Sequence, residues 1–124
     1  MPAAPADVVR DFLEALAEPD TARATSLLDP DVEWRNTGLP TVRGKRVHAM
    51  IRDMERRRIG FGVDLHAIAE NGDTVLTDRR DYLWKGPLKT GFWVWGTFTV
   101  RDGKITVWDD AFSLGGLFRG FFTR

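Results

Sequence analysis

The spacing of apolar residues divides the chain into a helical first half and a strand-rich second half. Between about Asp7 and Glu18, Val8, Val9, Phe12, Leu13 and Leu16 recur every three or four positions, which predicts an amphipathic helix ending before Pro19. Asp20 can cap a second, shorter helix through Leu27 and Leu28. Asp29-Pro30-Asp31 then stops it and launches a strand from Val32 to Asn36, with Val32, Trp34 and Asn36 on one face. A loop holding Gly38, Pro40 and Gly44 leads into a third helix. Its predicted buried stripe is Val47, Met50, Ile51 and Met54, with Arg46, Arg52, Asp53 and Arg56 facing out. Beyond Ile59 the period falls to two, and Phe61 to Ala69, Thr74 to Trp84, Leu88 to Val100 and Lys104 to Ser113 read as four strands. Asn71-Gly72 and Asp102-Gly103 supply the positive φ angles of tight hairpin turns, and Lys85-Gly86-Pro87 breaks the remaining pair. The prediction is an α+β fold: a curved, mainly antiparallel sheet with three helices from the first half on one face, forming a cone around an apolar pocket. No repeat or linker interrupts it, so residues 1–124 are expected to make a single domain.

Composition narrows the chemistry. Lys+Arg and Asp+Glu are 18 each, so the formal charge is zero and nothing favours a nucleic acid or an anionic membrane surface as partner. The chain has no Cys, which removes thiolate nucleophiles and cysteine zinc sites, and its 2 His are too few for a histidine-rich metal site. No cofactor or metal is expected. No apolar run approaches the roughly 18 residues of a membrane span, and Met1-Pro2-Ala3-Ala4-Pro5-Ala6 lacks the features of a signal peptide, so a cytoplasmic protein is expected. Five Trp and eight Phe against one Tyr bias the interior towards apolar ligands.

Alternation exposes an anomaly on the strand from Thr74. One face carries Val75, Thr77, Arg79, Asp81 and Leu83, the other Leu76, Asp78, Arg80, Tyr82 and Trp84. Each face mixes apolar and charged groups, so at least one charged pair points into a partly dry environment and must be paired to survive there. On the last strand Trp108, Asp110 and Phe112 oppose Ile105, Val107 and Asp109, and Asp110 is the better candidate for a buried acid. Two carboxylates and one Arg converging in an apolar pocket make an acid–base pair, because burial raises one carboxyl pKa while the guanidinium keeps the other ionised. The same residues also fit a charge network that only braces the sheet.

These residues resemble the limonene-1,2-epoxide hydrolase family, particularly its actinobacterial members, within the cone-shaped superfamily that includes ketosteroid isomerase and polyketide cyclases. The likeness runs from the first helix to about Gly120. Its most specific parts are Thr77-Asp78-Arg79-Arg80-Asp81 and Ile105-Thr106-Val107-Trp108-Asp109-Asp110-Ala111-Phe112, with Ile59-Gly60-Phe61, Gly86-Pro87-Leu88, Phe92-Trp93-Val94 and Leu117-Phe118-Arg119-Gly120 in support. The resemblance implies hydrolysis of an apolar epoxide to a vicinal diol in one step. Asp110 would be the base that deprotonates water, Asp81 the acid that protonates the epoxide oxygen, and Arg79 the cation between them. Asn36 matches the family's water-positioning Asn, but Trp34 stands where the family has Tyr and offers only an N–H donor. Asp109 stands where many relatives carry a basic residue.

Leu83, Phe92, Val94, Gly96, Phe98 and Phe112 are expected to line the pocket with Met50 or Met54 and Leu117; ordinary core is the alternative for each. Trp93 and Trp95 fall on the opposite face. The two His are expected to be structural, His48 near solvent and His66 hydrogen-bonded or at an interface. The apolar tail of Leu117, Phe118, Phe121 and Phe122 could close the pocket or cover a second subunit, and a homodimer is expected. Two other readings fit the same scaffold: an isomerase, dehydratase or polyketide cyclase, and a non-catalytic protein that binds small hydrophobes.

Overall fold

The computed structural model describes residues 3–121, with only the backbone of Leu114; Met1, Pro2 and Phe122 lie outside the described residues. Its elements run α1 (Pro5–Ala17), α2 (Thr21–Ser26), β1 (Leu28–Asn36), β2 (Val42–Arg43), α3 (Lys45–Arg56), β3 (Gly60–Asn71), β4 (Thr74–Lys85), β5 (Leu88–Arg101), β6 (Lys104–Ala111) and α4 (Leu114–Arg119). The strands form one curved sheet in the order β2-β1-β6-β5-β4-β3. β3 to β6 are the expected antiparallel meander, while β1 joins it by a parallel pairing with β6. No helix among the described residues is long and apolar enough to cross a membrane.

α1 starts on Pro5, whose fixed φ suits a first helical turn, and buries Val8, Val9, Phe12, Leu13 and Leu16 as their spacing predicts. Asp20 caps α2 by accepting from the Arg23 N–H at 3.0 Å. The helical stripe meets Val75, Phe98, Val100, Ile105 and Trp108 from the concave side of the sheet. Asp102 and Gly103 both take positive φ, as does Gly72, so the two hairpin turns form where the sequence places them.

Four expectations change. α2 stops at Ser26, and Leu28, expected in the helix, is instead the buried first residue of β1, paired with Ile105. The loop before α3 contains β2, which pairs Glu33 with Arg43 and Trp34 with Val42; two residues are too few to show an alternation. Met50 is 43% exposed, because α3 settles on the Val47–Ile51 edge of its apolar stripe. Ile105 lies in the core beside Trp108 rather than on the opposite face with Val107 and Asp109. The cause is a bulge: Val100 pairs with Ile105 and Thr99 with Val107, so Thr106 is an extra residue that resets the alternation of β6.

Candidate active site

β4 turns Thr77, Arg79 and Asp81 towards the helices, and all three are buried. Arg79, 1% exposed, forks onto Asp81 with Nε donating to Oδ1 at 2.8 Å and Nη2 donating to Oδ2 at 2.9 Å. The same Nη2 donates to Asp110 Oδ2 on β6 at 2.9 Å, and Nη1 donates to Thr77 Oγ1 at 3.2 Å. The Thr77 hydroxyl in turn donates to the Gly96 carbonyl. All three guanidinium nitrogens donate, and the guanidinium carbon lies 5.8 Å from the centre of the Phe98 ring.

β5 runs between Arg79 and Asp110, and Gly96 is what lets them meet. Gly96 is paired with Thr77 on one side and Asp110 on the other. A Cβ there would collide with Arg79 Nη1 and fall 2.7 Å from Thr77 Oγ1 and 2.9 Å from Asp110 Oδ1. Gly96, expected on the pocket wall, instead leaves the space of its missing side chain to the charged cluster.

The two oxygens of Asp110 differ. Oδ2 accepts from Arg79 and from Trp108 Nε1, the latter at 2.9 Å, whereas Oδ1 is buried without a partner. Burial pushes the Asp110 carboxyl up to about 6, against the pull of Arg79. Burial also raises the Asp81 carboxyl, again opposed by Arg79. Burial alone would lower the Arg79 pKa, but the fields of Asp110 and Asp81 outweigh it and raise the guanidinium above its ordinary value.

β1 and β6 run side by side in the same direction, so Trp34 pairs with Trp108 and Asn36 with Asp110. Trp34 stacks on Trp108 at 4.2 Å between centroids and 11° between planes, and its own Nε1 is buried without a partner. Among the apolar candidates, Phe92 and Val94 are buried on β5, and Phe92 is paired with Asp81. The Phe112 ring lies 5.6 Å from Phe92. Leu83, Met54 and Leu117 are half-buried, and the Leu117 carbonyl ties α4 to β5 by accepting from Thr90 Oγ1 at 2.6 Å. Open depressions of about 300 and 620 Å³ occur on the outer face around Leu76 and Trp95 and beside the start of α3; neither includes Arg79, Asp81 or Asp110. The buried polar cluster, not surface concavity, marks the site.

Other candidates separate from it. Asp109 faces outwards beside Arg35, 4.0 Å away. His48 is half-buried, not solvent-facing, with Nε2 3.1 Å from the Asp29 carbonyl oxygen. His66 sits at a bulge in β3 and lies against Trp93 on the outer face. Phe118 and Phe121 are exposed. Trp108 and Thr77 join the site unexpectedly, although alternation places Trp108 on the Asp110 face and Thr77 on the Arg79 face.

Residues 3–123 match the model of the limonene-1,2-epoxide hydrolase catalytic domain. The chain belongs to the limonene-1,2-epoxide hydrolase family. It is 40% identical over 112 residues to epoxide hydrolase EphG of Mycobacterium tuberculosis, covering 90% of this chain and 75% of that protein. A solved structure of an M. tuberculosis limonene-epoxide-hydrolase-like epoxide hydrolase superposes with a TM-score of 0.90 at 39% identity, over 95% of this chain and 89% of the other. A putative polyketide cyclase from Pseudomonas putida KT2440 reaches a TM-score of 0.78 at 16% identity, over 96% and 98% of the two chains, a likeness of fold alone.

Proposed function

We propose that the chain is an epoxide hydrolase that adds water to an apolar epoxide of terpene, steroid or aryl type and releases a vicinal diol. The observation that carries this reading is the half-used carboxylate of Asp110: one oxygen saturated by donors, the other buried and unpartnered, on a group whose pKa of about 6 suits a base near neutral pH. Its relatives of about 40% identity bear the same activity in their names.

In this reading a water sits beside Asp110 Oδ1, with the Asn36 amide and the free Trp34 N–H as its other partners. Asp110 takes a proton from the water as its oxygen attacks an epoxide carbon. The C–O bond breaks, and Asp81, holding a proton and giving up one of its bonds to Arg79, protonates the departing oxygen. The cluster begins as neutral Asp81, Arg79 cation and Asp110 anion, and ends with the proton on the other carboxyl, so its net charge is zero throughout. That matters in a dry site, where an unbalanced charge is costly. The cycle closes when a proton returns from Asp110 to Asp81, whose Oδ2 atoms share Arg79 Nη2 as donor. Leu83, Phe92, Val94, Phe112, Met54 and Leu117 supply the apolar wall. On the outer face Trp93, Trp95 and Leu76 are exposed, and we assign this surface to a homodimer.

Incubation with a panel of terpene, aryl and steroid epoxides in ¹⁸O-labelled water tests the reaction. The expected product is singly labelled diol that Asp110→Asn fails to form. Turnover of a carbonyl substrate without incorporation of label would replace this reading with the isomerase or cyclase alternative. Tight binding of unchanged epoxide would identify a binding protein.

A further inference from the structure

Trp108 is buried and clamped on two sides. Trp34 lies parallel to it at 4.2 Å, and Phe12 of α1 meets it edge-on at 4.9 Å and 82°. The clamp leaves the indole no freedom to turn, and its single polar atom, Nε1, points at Asp110 Oδ2. A carboxylate turns easily about its last bond, because the torsion is broad and two-fold. Arg79 alone does not choose an orientation, since either oxygen could accept its Nη2 proton. Two donors converging on one oxygen from different strands do choose, and they leave the other oxygen bare.

We propose that Trp108 is a positioning residue for the base: its N–H locks the Asp110 carboxylate with Oδ1 turned to the reacting water, and Trp34 and Phe12 hold the indole in place. The face of Trp34 thus acts through Trp108, while its N–H edge remains available to the water. Because the Trp108 bond favours the charged carboxylate, it also keeps Asp110 ionised to lower pH than burial and Arg79 alone would allow. The charged groups acting on Asp110 are Arg79 and Asp81, both from β4, and neither is altered in the variants below. The catalytic consequence rests on the hydrolase reading; the orientation and ionisation of Asp110 do not.

The test is a ¹³C NMR titration of the Asp110 carboxyl in the wild type, Trp108→Phe and Trp34→Phe, run beside pH profiles of kcat and KM. Trp108→Phe should raise the Asp110 pKa by about one unit, the size expected for loss of a hydrogen bond to a charged group. The acid limb of kcat/KM should move with it, and the loss should fall on kcat with KM held within about twofold. Trp34→Phe keeps a flat ring against Trp108 and should leave the Asp110 pKa in place. A folded Trp108→Phe with an unshifted Asp110 overturns the proposal. If that variant does not fold, the wild-type Trp108 Nε1–H resonance decides: it should titrate with Asp110, and a flat resonance across that range overturns the proposal equally. A wild type that hydrolyses no epoxide, with the Asp110 pKa still raised in Trp108→Phe, would sink the hydrolase reading and support the positioning role.

Discussion

Two charge clusters in this protein use the same groups in opposite ratios. On α3, Asp53 accepts from two arginines, Arg56 and Arg57, the latter at 2.6 Å. In the sheet, Arg79 serves two carboxylates, Asp81 and Asp110, at 2.8 and 2.9 Å. The contacts are alike, yet the acids respond oppositely: hydrogen bonding to Arg56 lowers the Asp53 pKa, whereas burial raises those of Asp81 and Asp110. An ion pair in water settles its acid; the same pair in a dry sheet leaves the acid able to carry a proton near neutral pH. Desolvation, not the contact itself, makes the sheet cluster suited to proton transfer.

The sharpest way to break the contrast is to remove the shared cation. Arg79→Met leaves the buried Asp110 carboxylate without its counter-charge and should cost about 3–5 kcal/mol in a urea melt at pH 7 and abolish turnover. Acidification should partly restore its stability, because the stranded carboxylate can then protonate. Next in size is the pH dependence of the wild type. The unfolded Asp110 carboxyl loses its proton near 3.8 and the folded one near 6, so between those values the folded chain binds more protons. Stability should therefore fall as pH rises through this window, by at most about 3 kcal/mol, and Asp110→Asn should flatten the slope. The same substitution should reduce kcat by about 10²–10⁴-fold.

Gly96→Ala drives a methyl group into the Arg79–Asp110 contact and should cost about 1–3 kcal/mol, with activity falling further than stability explains. At the small end, Asp53→Asn should leave both the melting temperature and the acid limb of the rate profile where they are. A shift in that limb would show that the α3 cluster reaches the site.

Much of the fold was legible because its signals are local and periodic. Asp20 caps a helix, Asp102-Gly103 turns a hairpin, and the alternation of β4 puts Arg79 and Asp81 on one buried face. What stayed hidden depends on neighbours distant in the chain. Periodicity gives Met50 the same credentials as Ile51, and only the seat of α3 separates them. The bulge at Thr106 exists because β5 and β6 fall out of step, which neither strand shows alone. Asp81 and Asp110 were readable as candidates, but the reason they can meet at one guanidinium is the empty position at Gly96 on the strand between them. The bond from Trp108 to Asp110 was within reach of alternation; the clamp of Phe12 and Trp34 around that indole was not.

The parallel pairing of β1 with β6 also has a meaning for synthesis and folding. Trp34 and Asn36 leave the ribosome early, and their pairing partners Trp108 and Asp110 follow after more than half the chain. Contacts so distant in sequence slow folding and defer closure of the sheet until the last strand arrives. Until then β1 has only the two-residue β2 along one edge, and its other edge is open to pairing with a neighbouring nascent chain. Its interior charged positions, Asp31, Glu33 and Arg35, make that edge a poor template for such pairing.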